Sequence, residues 1–287
     1  LRVLQLSKYL SQTKELEETV MDHPGHPRVN ILSVPIDSIG MSELLDELKQ
    51  GGVVFTPNVD HLMKLQKDRE FYQVYQDADY RVCDSQLIMY ASRFLGQPIR
   101  EKVSGSDLFP AFYQRYSTDE SVKIFLLGGE AGVAATARQR INFKVGRNMV
   151  VDCYSPPWGF ENDPEECARI INLVNSSGAN VLAVGVGAPK QEKWIIQYRS
   201  SLTAIKTFFA IGATIDFEAG NLKRAPGWMS SAGLEWLYRL VSEPGRLWKR
   251  YLVEDLGFFA LIFRQKLQMN PSPKRSYGRN SNVFGSR

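Results

Sequence analysis

Arg224, Arg239, Arg246, Lys249 and Arg250 gather between Ile211 and Leu252, with Trp236, Trp248 and Tyr251 interleaved. Between Arg239 and Arg250 the only acid is Glu243. Guanidinium forks and an ammonium beside aromatic surface suit an anion carried on an apolar body, such as the pyrophosphate of a lipid. On a continuous helix Arg239, Arg246 and Arg250, spaced by seven and four, would share one face. Pro244-Gly245 is expected to interrupt that helix, which leaves Arg246 and Arg250 paired by spacing. The plainer reading is a solvated basic helix whose Trp and Leu side chains enter the core. The segment alone is compatible with both.

A second set of residues follows apolar, strand-like runs: Thr56-Pro57-Asn58-Val59-Asp60, Asp84-Ser85, Gly128-Gly129, Gly185 to Gln191, and Gly212-Ala213-Thr214. Small residues at such places let backbone N–H groups approach a ligand, and a helix N-terminus beside them favours negative charge. Each turn taken singly is ordinary turn chemistry. Five at one sheet edge make a nucleotide or sugar-nucleotide pocket the better expectation. No GxGxxG opens a βαβ unit and no GxxxxGK[ST] occurs; Gly185-Val186-Gly187 is only a fragment of such a motif.

The elements that must carry these residues alternate. Strands are expected at Val29–Val34, Val53–Thr56, Arg81–Cys83, Val122–Leu127, Met149–Cys153, Val181–Val184 and Thr207–Ile211. Helical spacing covers Met41–Gln50, Val59–Gln76, Gln86–Leu95, Val133–Phe143, Pro164–Asn175 and Lys190–Tyr198. Strand–helix alternation with apolar strands predicts an α/β fold whose mostly parallel sheet is covered by helices on both faces. In such sheets ligands sit beyond the carboxyl ends of the strands, where the polar turns lie.

The 287 residues suffice for a substantial core, and 44% apolar with 23% charged residues is a soluble globular composition. The net charge of +4 is uneven: Arg264 to Arg287 holds six Lys/Arg and no acid, leaving 29 bases against 31 acids elsewhere. The body is therefore not a basic nucleic-acid binder. Cys83, Cys153 and Cys167 lack CxxC spacing and fit free thiols in a reducing cytosol. No apolar run reaches 18 residues, and Lys8, Lys14, Glu15, Glu17 and Glu18 argue against a signal peptide. The chain does not begin with Met, which leaves its native start open.

Thr56-x-Asn58, the Asp84-Ser85 turn with RFLG (Arg93–Gly96), LLGG (Leu126–Gly129), GVGAPKQEKW (Gly185–Trp194) and the block RAP…GLEWLYRL…EP.RLWKRYL resemble the WecG/TagA/CpsF family of bacterial glycosyltransferases, glycosyltransferase family 26. The resemblance runs from about Val29 to Leu252. It implies a Rossmann-like core with a C-terminal helical appendage. It also implies transfer of a hexose or N-acetylhexosamine, often N-acetylmannosamine or its uronic acid, from a UDP-sugar to a polyprenyl-pyrophosphate-linked saccharide. The place would be the cytoplasmic face of the membrane, in cell-surface polysaccharide synthesis.

By the same resemblance the reaction inverts the anomeric centre without a metal or other cofactor, and Asp84 is the general base that takes the acceptor hydroxyl's proton. The family commonly has Asp-Gly where this chain has Asp84-Ser85. On residue chemistry alone Asp84 would be a helix N-cap, a task Ser85 is able to take over. Thr56, Asn58 and Gln191 match pocket residues that bind the donor sugar or steady the base, and Gly128, Gly129, Gly185 and Gly187 would line the UDP. Arg239, Arg246, Lys249 and Arg250 would neutralise a diphosphate on the leaving nucleotide or the acceptor lipid. Some members self-associate, so a homo-oligomer is among the expectations.

Three further stretches carry signals of their own. Asp77-Ala78-Asp79 is a literal aspartate-x-aspartate, yet it precedes its short strand instead of following one, which argues against a metal site. His23, His26 and His61 form no ligand cluster. The apolar run Leu256–Phe263, flanked by Arg246–Arg250 and Arg264–Lys266, suits the interface of an anionic membrane, an oligomer contact or packing against the core. The expected organisation is a lead-in over 1–28, a core over 29–225, an appendage over 226–268 and a disordered basic tail over 269–287. Competing functions are a sugar-nucleotide modifying enzyme on a similar sheet, and a non-catalytic lipid- or nucleic-acid-binding module.

Overall fold

The computed structural model describes residues 26–226, 229, 235–242, 245, 248 and 257–269. The expectations for residues 1–25 and 270–287, and for Arg246, Lys249 and Arg250, lie outside the described residues.

The single strand expected over Val29–Val34 is instead a hairpin. Strands β1 (Arg28–Ile31) and β2 (Val34–Asp37) run antiparallel, with Ile31 opposite Val34. Its two-residue turn, Leu32-Ser33, has φ of 52° and 64°. Such a turn usually takes Asn-Gly, because L-residues in the left-handed region cost about 1–2 kcal/mol each. Tertiary bonds hold it here. Gln66 donates to the Leu32 carbonyl at 2.9 Å, Tyr72 donates to the Ser33 carbonyl at 2.9 Å, and the Leu32 N–H donates to Gln265 at 3.0 Å.

The chain continues through α1 (Met41–Gln50), β3 (Gly52–Phe55), α2 (Val59–Leu65), α3 (Arg69–Gln76), β4 (Tyr80–Arg81), α4 (Gln86–Leu95) and α5 (Gly105–Arg115). There follow β5 (Ile124–Gly128), α6 (Val133–Val145), β6 (Val150–Tyr154), α7 (Pro164–Ser176), β7 (Val181–Gly185), α8 (Lys190–Tyr198), β8 (Thr207–Ala210) and α9 (Thr214–Ala219). Six strands form one sheet in the order β4-β3-β8-β7-β5-β6, and every neighbouring pair is parallel.

Side-chain alternation along each strand feeds two cores. Phe55, Phe125, Leu127, Leu182, Val184 and Phe208 meet the buried faces of α2, α3, α4, α7 and α8. Val54, Ile124, Leu126, Val181, Ala183 and Phe209 meet those of α1, α5, α6 and α9. The fold is therefore the expected α/β, Rossmann-like sheet with helices on both faces.

Two helical expectations change. The stretch Val59–Gln76 breaks into α2 and α3 because the Asp68 carboxylate accepts the Phe71 N–H at 2.9 Å and starts a new helix. Helix α5 is additional to the sequence reading and contains Pro110 in its interior.

Near the C-terminus, α10 (Glu235–Ser242) carries Arg239; α11 (Gly257–Met269) packs on α4 and α2. Phe258 and Ile262, four apart, are buried against the core, and Lys266 donates to the Leu95 carbonyl at 3.2 Å. On the same helix Phe259, Phe263 and Leu267 are exposed at spacings of four. The apolar run thus packs by one face and presents a second. No described helix is long and apolar enough to cross a membrane.

Candidate active site

Because all six strands are parallel, their carboxyl ends share one edge. Across it, in sheet order, stand Asp84 after β4, Thr56 and Asn58 after β3, Gly212 after β8, Gly185 and Gly187 at and after β7, Gly128 and Gly129 at and after β5, and Ser155 after β6. Helices α2, α4, α8 and α9 begin at this edge, so their N-terminal N–H groups give it positive character.

Asp84 lies beyond the two-residue strand β4, but the chain remains laddered. Val82 donates to the Phe55 carbonyl and Asp84 to the Pro57 carbonyl, both at 3.0 Å, while Val103 donates to the Cys83 carbonyl at 2.8 Å. These bonds fix Asp84 beside Thr56-Pro57-Asn58, with its side chain partly exposed. The N-cap of α4 is Ser85, which makes no side-chain capping bond. Asp84 stands one residue before that cap position. The adjacent Cys83 is buried, which pushes its thiol up to about 12 and keeps it protonated near neutrality.

Asn58 is the N-cap of α2, its side-chain oxygen accepting the His61 N–H at 3.1 Å. Thr56 is buried, and a Cβ at Gly105 would come within 3.1 Å of its hydroxyl oxygen. Gly105 opens α5, whose cap is Ser104: its hydroxyl oxygen accepts the Asp107 N–H at 3.2 Å and donates to the Asp107 carboxylate at 2.6 Å. Arg224 pairs with the other carboxylate oxygen at 2.5 Å. Burial raises the Asp107 carboxyl, but the Ser104 hydroxyl and Arg224 guanidinium outweigh it and leave the group below the usual range.

The glycines have a packing reason. A Cβ at Gly128 would stand 2.4 Å from the Gly185 carbonyl oxygen, and one at Gly185 would stand 2.5 Å from that of Gly212. The ends of β5, β7 and the β8 turn therefore touch backbone to backbone. Gly129, at φ 72°, sits against Val133, whereas Gly187, at φ 85°, faces open space.

Gln191, in the first turn of α8, is buried. Its side-chain oxygen accepts the N–H groups of Gly187 at 3.3 Å and Gly212 at 3.0 Å, tying the turns after β7 and β8 together. Its amide nitrogen donates to Glu192 at 2.8 Å. Glu192 is fully buried, and that burial, partly offset by the Gln191 bond, pushes its carboxyl up to about 7.

Asp77 and Asp79 lie at the opposite end of the sheet. The Asp79 carboxylate accepts the Val53 N–H at 2.7 Å, where β3 begins, and Arg199 donates to the Asp77 carbonyl at 2.9 Å. A cleft of about 720 Å³ opens at that end, lined in part by Arg28, Glu47, Asp79, Arg199 and Lys206. It contains none of the site residues expected from sequence. Among the described residues no three His, Cys, Asp or Glu side chains converge as a metal site. Cys83, Cys153 and Cys167 are free.

Thr56, Asn58, Asp84, Gly128, Gly129, Gly185, Gly187 and Gln191 thus come to one edge. Of the diphosphate cations, Arg239 is on α10 and the other three lie outside the described residues. Sequence reasoning passed over Ser104–Asp107 and Glu192. The Ser104-x-x-Asp107 spacing of a capping box could have found the first; nothing in the sequence marks Glu192 as buried. The sequence matches the model of the glycosyl transferase WecG/TagA/CpsF family over residues 29–272.

Proposed function

The chain belongs to the WecG/TagA/CpsF family of glycosyl transferases, and from that premise we propose an inverting, metal-independent transfer from a UDP-sugar to a polyprenyl-pyrophosphate-linked saccharide. Glycosyl transfer in cell-surface polysaccharide synthesis is what the family does; the donor, the acceptor and the residue roles are our reading. The transferred sugar is a hexose or N-acetylhexosamine, with an N-acetylmannosamine type preferred.

The observation that carries it is the order of groups along the carboxyl edge. A partly exposed carboxylate, Asp84, is bonded through its backbone to the Thr56–Asn58 turn, and the close-packed glycine turns follow on the next strands. In this reading Thr56 and Asn58 face the donor sugar, and the turns at Gly212, Gly185–Gly187 and Gly128–Gly129 receive its diphosphate.

Asp84 takes the proton of the acceptor hydroxyl as that oxygen bonds to the anomeric carbon. The bond from that carbon to the diphosphate oxygen breaks on the opposite face, so the configuration inverts and UDP departs with the electron pair. Helix N-termini, together with Arg239, Arg246, Lys249 and Arg250, stabilise the negative charge that develops. The position of Asp77 and Asp79 at the far end of the sheet supports a reaction that does not draw on that pair.

The exposed stripe Phe259, Phe263 and Leu267, near Arg264 and Lys266, supports peripheral contact with an anionic membrane, where a lipid-linked acceptor resides. Incubation of the full chain with a panel of UDP-sugars and a polyprenyl-pyrophosphate-linked acceptor analogue, with and without EDTA, tests the reading. A product heavier by one sugar and insensitive to EDTA is expected. Turnover that EDTA abolishes would remove the metal-free step, and absence of transfer from every UDP-sugar would remove the donor assignment.

A further inference from the structure

Trp158 is 94% exposed, on the loop after β6 at the same carboxyl edge as Asp84 and the glycine turns. Tryptophan carries the largest apolar payload of any side chain, and leaving it in water forgoes that burial. Isolated surface apolar residues need no explanation in general. Trp158 differs because its loop is braced on both sides. At one side the Ser155 hydroxyl reaches the carbonyls of Gly128 at 3.1 Å and Glu130 at 3.0 Å, drawing the loop toward β5. At the other, Phe160 is buried with its ring 6.2 Å from that of Trp194.

One face of the indole is already engaged. The Lys190 ammonium, first residue of α8, stands 4.1 Å from the ring centroid and is held by Glu161 at 3.6 Å. Lys190 directly follows the β7 turn that contains Gly187, so Trp158 is brought to the β7 end of the edge. From β7 to β4 there are three strand spacings in the sheet order, which is about 14 Å. A donor whose sugar lies by Asp84 and whose diphosphate crosses the glycine turns would place its nucleobase near this ring.

We infer that Trp158, steadied by Lys190, is a stacking platform for the pyrimidine base of the nucleotide donor. The inference rests on the proposed UDP-sugar donor. Aromatic faces accept nucleobases through stacking that needs no hydrogen-bond code. A cation fixed on one side holds the indole in place for a ligand on the other. Base affinity is thereby separated from the diphosphate turns, and Trp158 is a donor-binding residue remote from the bond being made.

Calorimetric titration of the full chain and of Trp158→Ala and Trp158→Phe with UDP, and separately with inorganic pyrophosphate, tests it. The exposed position makes both variants compatible with folding. Trp158→Ala is expected to raise the Kd for UDP about tenfold, within the range of one base–aromatic stack. Trp158→Phe should retain most of the affinity, and pyrophosphate binding should not change. Equal UDP affinity in wild type and Trp158→Ala would overturn the platform while leaving the donor assignment intact. An equal loss of UDP and pyrophosphate affinity in Trp158→Ala would likewise overturn it. Failure of the wild type to bind UDP at all would remove the donor assignment and the platform together.

Discussion

Gln191 donates a 2.8 Å hydrogen bond to the carboxylate of its sequence neighbour Glu192, and both side chains are buried. The second Glu192 oxygen has no hydrogen-bond partner among the described residues. Burial therefore favours the neutral acid and lifts the folded-state pKa to about 7 from the ordinary 4.5.

A raised folded-state value means that the folded protein binds the proton more tightly than the unfolded chain. The stabilising contribution is complete below pH 4.5 and is lost as the pH rises to about 7. The loss above pH 7 is about 3 kcal/mol. Glu192→Gln, which does not titrate, should show a flatter dependence of stability on pH over this window. Urea unfolding at pH 5, 6, 7 and 8 measures it; parallel wild-type and variant curves would rule out an uncharged Glu192.

Asp84→Asn should lower transfer by about 10³-fold, within the range of general-base effects. UDP affinity should stay near that of the wild type. Ser85, not Asp84, holds the N-cap position of α4, so the melting temperature should change little. Activity, UDP titration and thermal unfolding on one preparation separate the catalytic role from a structural one.

The glycines should divide by contact. Gly128→Ala and Gly185→Ala drive a Cβ to within 2.4 and 2.5 Å of backbone carbonyl oxygens, and each should cost about 2 kcal/mol or more. Gly187→Ala meets nothing within 4 Å and bears only the strain of its φ of 85°, about 1 kcal/mol. Chemical denaturation of the three variants should rank Gly187→Ala as the mildest.

Helix α11 should show two faces in two assays. Phe258→Ala, buried, should destabilise by about 3 kcal/mol. The double change Phe259→Ser and Phe263→Ser, both exposed, should leave stability nearly unchanged and reduce co-sedimentation with phosphatidylglycerol vesicles about tenfold. Undiminished vesicle binding by the double variant would show that membrane contact lies elsewhere.

Much of the scaffold was legible because its signals are local. The bounds read for Met41–Gln50, Gln86–Leu95 and Lys190–Tyr198 match the helices found, and Gly96 ends α4 in the left-handed conformation that glycine favours. The carboxyl-edge residues were legible because parallel strands place every post-strand turn together. What escaped reading depends on distant partners. Leu32-Ser33 carries no turn signature, and bonds from Gln66, Tyr72 and Gln265 hold it. Pro110 obscured α5, although Ser104 and Asp107 mark its start. Glu192 reads as a surface residue of a first turn, and only the packing of α8 on α3 and the sheet takes it from water.

The contacts linking Gly128, Gly185 and Gly212 leave no gap through which one turn could shift without pushing the next. Together with the Gln191 tether they make the middle of the carboxyl edge behave as a single stiff plate. A side chain added at Gly128 or Gly185 would press on the neighbouring turn and, through it, on the rest. Whatever motion accompanies entry and exit of a ligand must then be supplied by segments outside this plate.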